Sequence, residues 1–174
     1  MIISVKPHKD IFLNLTPISL ARKEKYNGFG IKAINKRFKN AVMSGQLNAV
    51  RYFLLVEKVN IHLEKDFVFR IACKRGYLDI IEYVLTSNEL NEHCNINIDN
   101  DIGIKRACEF GHLEVVKFLS SSPKIKKHAD VFCRNNILFD IAKTNNKIDI
   151  EKYLLYFQLS QALLGKKENR LVKI

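Results

Sequence analysis

Four charged residues recur along the chain at nearly constant spacing: Lys39, Arg70, Lys105 and Asp140. The steps between them are 31, 35 and 35 residues. A row of three cations that ends at an aspartate suits binding of an acidic segment of another protein. Solvated charges on an exposed helix face would give the same pattern, and both interpretations stay open here. We define the basic stripe as these residues and their neighbouring cations: Lys36, Lys39, Arg70, Lys74, Arg75, Lys105 and Asp140.

The cysteines and histidines show no catalytic or metal-binding spacing. No pair of cysteines has C-x-x-C spacing, and no histidine pair has the spacing of zinc ligands. Cys73 and Cys108 lie in apolar segments and are expected to pack inside, whereas Cys94 and Cys133 are expected in loops, open to exposure. The glycines do not form a phosphate-binding loop. The sequence therefore predicts no enzyme activity, no cofactor and no metal ion.

Pairs of short amphipathic helices are the elements that would place the residues of the basic stripe at equivalent positions in successive repeats. Around Gly111, the apolar residues fall at helical spacing on both sides. Glycine ends the first helix because it adopts the left-handed conformation without a Cβ clash. The pattern recurs around Gly45, Gly76 and Asn146, and asparagine also tolerates that conformation. Each copy carries an aligned alanine: Ala41, Ala72, Ala107 and Ala142. This period predicts an all-α array of stacked helix pairs.

The run Ala-Cys-Glu-Phe-Gly-His-Leu-Glu-Val-Val-Lys-Phe-Leu, residues 107–119, resembles the ankyrin repeat. Ala129-Asp130-Val131 resembles the segment that leads into that family's inter-repeat finger. The resemblance covers about residues 36–157 and implies an ankyrin-repeat solenoid of about four repeats. It also implies a concave face, lined by first helices and fingers, that binds partner proteins.

Two departures from the family pattern qualify this expectation. The Thr-Pro-Leu-His opening is absent, and the connections between repeats are short, so we expect turn-like fingers. Short fingers with heavy use of Ile, Asn and Lys are similar to repeats encoded by AT-rich genomes, such as those of large DNA viruses. Phe110 and Tyr77 flank the turns and are candidate contact residues for a partner.

The two ends of the chain differ from the repeats. We predict an N-terminal capping segment that contains a partial unit, an ankyrin-repeat domain and a basic tail, at residues 1–35, 36–165 and 166–174. Lys143 and Glu151 replace small or apolar residues in the fourth repeat, which favours a terminal repeat with a polar outer side. The uninterrupted run before Gly165 predicts a long C-terminal capping helix, about two turns longer than its counterparts.

The net charge of +11 supports an alternative function, nucleic-acid binding through a basic surface. The densest cluster of cations comprises Arg22, Lys23, Lys25, Lys32, Lys36, Arg37 and Lys39. However, the chain has no recognised nucleic-acid-binding motif, and the segment 87–101 is acidic and contains no lysine or arginine. We therefore predict, first, a non-catalytic module that binds a partner protein, with nucleic-acid binding as the alternative.

No run of about eighteen apolar residues exists, so we expect no transmembrane helix. Residues 11–21 loosely resemble a secretory signal, but Asn14 and Pro17 interrupt the apolar stretch. The sequence therefore favours an intracellular protein, cytoplasmic or nuclear, whose oligomeric state it does not indicate.

Overall fold

The computed structural model describes the backbone of residues 29–171 and the side chains of residues 30–132 and 136–163. The chain divides into two units, residues 1–33 and 34–174, and nearly all of the first lies outside the described residues. Within the described range the secondary structure is helical, with no strand. The helices are α1 (Phe29–Met43), α2 (Leu47–Leu55), α3 (Leu63–Arg75), α4 (Leu78–Thr86), α5 (Ile98–Phe110), α6 (Leu113–Ser121), α7 (Cys133–Thr144) and α8 (Ile148–Leu171).

Consecutive helices form four pairs, each joined by a tight turn. Gly45, Gly76 and Gly111 have φ of +68°, +78° and +86°, the left-handed conformation predicted for them. Asn146, with φ of +56°, makes the corresponding turn in the fourth pair. Each turn reverses the chain, so the second helix of a pair lies against the first and the two apolar stripes meet.

The helix pairs stack through their first helices, because α5 packs against both α3 and α7. The aligned alanines are buried on the first helices: Ala72, Ala107 and Ala142 are fully buried, and Ala41 is 5% exposed. A small side chain at this position lets neighbouring helices approach closely. The prediction of an all-α array of stacked helix pairs is thus confirmed.

Gly103 marks the closest approach between the second and third repeats. A Cβ atom placed on this residue would lie 2.6 Å from Cε1 of Phe69 and 3.2 Å from Sγ of Cys73. Phe69 and Cys73 are both fully buried, so neither can move aside. Glycine is therefore required here by packing, in the middle of a helix where its propensity is poor.

The first turns of α3 and α5 have an unusual backbone. Glu64, Lys65 and Asp66 have φ of +49°, +56° and +53°, and residues 99–101 repeat this conformation one repeat later. The left-handed conformation costs about 1–2 kcal/mol per residue, although Asp and Asn tolerate it best. Buried Asp66 offsets part of this cost: its Oδ1 lies 2.6 Å from Nδ1 of His62, and its Oδ2 accepts a hydrogen bond from the Asn95 backbone N–H at 2.6 Å.

The structure corrects three expectations. Helix α8 has 24 residues and continues through Gly165 to Leu171, because one glycine among good helix formers weakens a helix without ending it. Cys94 is 6% exposed instead of open to solvent, since the connection after α4 folds back and the Cys94 N–H donates to the Val84 carbonyl. The outer side of the fourth repeat is also less polar than expected, because Leu155 there is 49% exposed.

Candidate functional site

The basic stripe runs along successive first helices, as its spacing predicts. Lys36 and Lys39 lie on α1, Arg70, Lys74 and Arg75 on α3, Lys105 on α5, and Asp140 on α7. Lys36, Arg75 and Asp140 are exposed, whereas the other four side chains are half-buried. The structure therefore brings the predicted residues onto neighbouring helices but gives them different environments.

Lys39 binds the following repeat. Its Nζ donates to Glu64 Oε1 at 2.8 Å and lies 5.9 Å from the centre of the Phe67 ring. Both partners belong to α3, so this cation links the first and second repeats. An exposed ion pair of this kind contributes at most about 1 kcal/mol to stability.

Arg70 and Lys105 support the left-handed turns of their own helices. Arg70 donates through Nη2 to the Glu64 carbonyl at 2.7 Å and through Nε to the Lys65 carbonyl at 2.8 Å. Lys105 donates through Nζ to the Asn100 carbonyl at 2.6 Å. These carbonyls are directed away from the ordinary helical pattern, and the cations satisfy them. The regular recurrence of these two cations thus has a structural explanation.

A cation–aromatic pair with an exposed ring lies where the second repeat meets the third. Lys74 Nζ lies 5.0 Å from the centre of the Phe110 ring, and Phe110 is 41% exposed. His112 donates from Nε2 to the Lys74 carbonyl at 2.9 Å, which holds the backbone of this pair in place. One repeat earlier, the Tyr77 hydroxyl donates in the same direction, to the Met43 carbonyl at 3.1 Å. In both cases, the residue after the turn glycine bonds back to the preceding repeat.

Carboxylates of the acidic segment 87–101 contact basic side chains of α2 and of the start of α3, a relation that sequence reasoning missed. Glu89 accepts from Arg51 at 2.6 Å, Glu92 Oε2 lies 3.7 Å from His62 Nε2, and Asp99 lies 3.6 Å from Lys65 Nζ. The partners in these pairs are 38, 30 and 34 residues apart, which is close to one repeat period. Such pairs could have been predicted from the sequence by looking for opposite charges about one repeat period apart.

Cysteine thiols are buried inside the stack. Burial raises the pKa of the Cys73 thiol and of the Cys94 thiol well above the ordinary value, so neither is a ready nucleophile. Among the residues described, no three His, Cys, Asp or Glu side chains group closely enough to hold a metal ion. Over the same residues, no helix has the length and apolar character needed to cross a membrane.

The comparison with protein families decides the identity of the stack. The family model for ankyrin repeats (3 copies) matches residues 38–131, more than half of the chain. The chain belongs to the ankyrin-repeat family. Ankyrin repeats generally serve as protein–protein interaction modules, and the family is generally non-catalytic. No curated protein and no solved structure matches the chain. The α7–α8 pair lies beyond the matched residues, but its buried Ala142 extends the ankyrin stack by one unit.

Proposed function

We propose that this ankyrin-repeat protein is a non-catalytic module that holds a partner protein against the face formed by its first helices, and that the partner presents an acidic segment. The observation that carries this proposal is the contact of half-buried Lys74 with the exposed Phe110 ring, beside exposed Arg75. It combines an apolar contact surface with unshielded positive charge at the junction of two repeats.

The chemistry of this junction favours a mixed ligand. Phe110 offers a ring face and edge for an apolar side chain, and aromatic residues contribute strongly to interface energies. Arg75 suits a carboxylate, because its guanidinium donates two parallel hydrogen bonds. An acidic segment with a nearby apolar residue therefore fits better than a purely acidic one.

The stacked scaffold lowers the entropy lost on binding. Lys74 and Arg75 lie at the end of α3. The hydrogen bond from His112 to the Lys74 carbonyl and the turn at Gly76 hold this end in place. A Cβ on Gly76 would lie 2.5 Å from Nδ1 of His112, so this contact is tight. Side chains that start from a rigid backbone lose less freedom when a partner docks.

Selection from a displayed peptide library tests the proposal. We expect the wild-type chain to enrich peptides that combine Asp or Glu with an apolar residue, and Phe110→Ala together with Arg75→Glu to lose them. Lys117→Glu is the matched control, because Lys117 is a half-buried cation on the second helix α6. Enrichment without acidic residues, or equal enrichment by the double variant, would contradict the proposal.

Nucleic-acid binding remains the second candidate because of the net charge of +11. A gel-shift series with double-stranded and single-stranded oligonucleotides over increasing salt separates the two. This alternative requires tight binding at low ionic strength that weakens steeply with salt. Some of the cations that it would use are already paired in the structure, such as Lys124 with Glu82.

The predicted division into residues 1–35, 36–165 and 166–174 belongs to the same proposal, as does an intracellular location. In this arrangement the outer segments cap or extend the array, and the repeat domain provides the binding surface. Expression of residues 36–165 alone tests it, since an independent repeat domain should keep the peptide selectivity of the full chain.

A further inference from the structure

The outer edge of the fourth helix pair contains the positions that, in the earlier pairs, form the contact with the next pair. In the second repeat, Phe69 and Cys73 are fully buried against α5. In the third repeat, the equivalent residues Ile104 and Cys108 are also fully buried. Phe139 in the fourth repeat is only half-buried, since no further repeat covers it within the described chain.

The second helices show the same change in exposure. Ser120 on α6 is 5% exposed and lies 2.7 Å, between oxygens, from the Tyr153 hydroxyl of α8. Leu155 occupies the equivalent position on α8 and is 49% exposed. Position 120 faces the next repeat, so position 155 faces the space where another repeat would stack. Leu155, Leu154 and Phe139 line an open groove of about 160 Å³ there.

The extended part of α8 continues this apolar surface. Leu159 and Leu163 follow Leu155 at intervals of four residues and are 58% and 66% exposed. Side chains four residues apart lie on the same side of a helix, so the three leucines form one row. No charged residue occurs between Tyr153 and Leu163, although the chain as a whole carries a net charge of +11.

The two charged residues at this edge have opposite signs. Lys143 on α7 takes the place of buried Cys108, and Glu151 on α8 takes the place of buried Val116. A two-fold axis at the edge sets α7 of one copy against α8 of the other, and each Lys143 then faces a Glu151. We propose that the edge formed by Phe139, Lys143, Glu151, Leu155, Leu159 and Leu163 binds a second copy of this chain in this antiparallel arrangement.

Charge and shape favour a second copy over other occupants. An acidic or a basic partner would gain little here, because the two charges of the edge cancel. A copy of the same edge supplies both an apolar face, around Phe139, for the leucine row and the two complementary ion pairs. The contact is also continuous with the stacking interface of the repeats, so helix packing of the same kind extends across it.

Sedimentation velocity of the full-length chain over a range of concentrations tests the leucine row. We expect a monomer–dimer equilibrium for the wild type, and a monomer at every concentration for Leu159→Glu. Val56→Glu is the matched control, because Val56 is also an exposed apolar residue, 56% exposed, but lies far along the chain from this edge. Circular dichroism of both variants checks that the helical content is unchanged.

Charge exchange tests the arrangement itself. Lys143→Glu or Glu151→Lys alone places like charges opposite each other twice per dimer and should weaken the dimer about tenfold. The double exchange restores opposite charges and should recover wild-type affinity to within about twofold. A wild type that stays monomeric, assemblies larger than a dimer, a dimer that survives Leu159→Glu, or a double exchange that recovers nothing would each overturn the proposal.

Discussion

The third and fourth repeats each consist of two helices joined by a left-handed turn, but equivalent positions in them differ in burial. Ile104 is fully buried, whereas Phe139 at the same position is half-buried. Ser120 is 5% exposed, whereas Leu155 is 49% exposed. The smaller and more polar residue is thus the buried one, which is the reverse of the usual relation between side-chain type and burial.

The difference shows that the neighbouring repeat determines burial at these positions. A helix pair buries one stripe within itself, but its two outer sides depend on what stacks against them. The third repeat has a neighbour on each side, and the described fourth repeat has a neighbour on one side only. Substitutions at equivalent positions of the two repeats should therefore differ strongly in their effect on stability.

The largest difference is expected for truncation of apolar side chains. Ile104→Ala should lower the free energy of unfolding by about 2–5 kcal/mol, because it leaves a cavity between stacked repeats. Leu159→Ala should change it by less than about 0.5 kcal/mol in the monomer, because Leu159 is exposed. Urea denaturation at low protein concentration measures both values, and similar losses would contradict the comparison.

Enlargement of a residue at the interior contact should have the next largest effect. Gly103→Val should cost about 1–3 kcal/mol, because its side chain would overlap with the fully buried Phe69 ring. The control is Gly30→Val, since a Cβ on Gly30 would have no neighbour within 4 Å among the described residues. Thermal unfolding monitored by circular dichroism tests this, and equal melting temperatures for the two variants would show that the repeats are packed more loosely than the structure indicates.

The interior thiols should make stability depend on alkaline pH. Burial raises the pKa of Cys73 and of Cys94, so the unfolded chain loses these protons at a lower pH than the folded chain does. Stability is then fully present below the unfolded thiol pKa, about 8.5, and falls as the pH rises above it. Unfolding free energies between about pH 8 and pH 9.5 measure the slope, which Cys73→Ala with Cys94→Ala should flatten.

The smallest effect is expected within the basic stripe. Arg70→Ala should cost about 0.5–1 kcal/mol, because the carbonyls of Glu64 and Lys65 lose a partially exposed donor. Asp140→Ala, at the equivalent exposed position of the fourth repeat, should be neutral. Urea midpoints compare the two. If Arg70→Ala leaves the urea midpoint unchanged, the arginine does not stabilise the turn and is instead available to solvent or to a partner.

The sequence was sufficient to predict the repeating unit. The spacing of the alanines and of the turn residues Gly45, Gly76, Gly111 and Asn146 depends on local rules, namely helical periodicity and the left-handed conformation that ends a helix. The basic stripe was placed on the correct helices for the same reason. Its binding role stays a prediction, because the hydrogen bonds of Arg70 and Lys105 give those cations a second explanation.

Only the tertiary structure revealed what depends on the stacking of one repeat against another. The left-handed turn at Glu64–Asp66 is stabilised by residues on both sides of a repeat boundary, and the Arg51–Glu89 pair joins segments 38 residues apart. The exposure of Leu155 likewise follows from the absence of a further repeat over it in the described chain. The periodicity within one repeat is a local property, so it can be predicted from the sequence. Burial at the outer sides of a repeat depends on the neighbouring repeat that packs there, so it requires the tertiary structure.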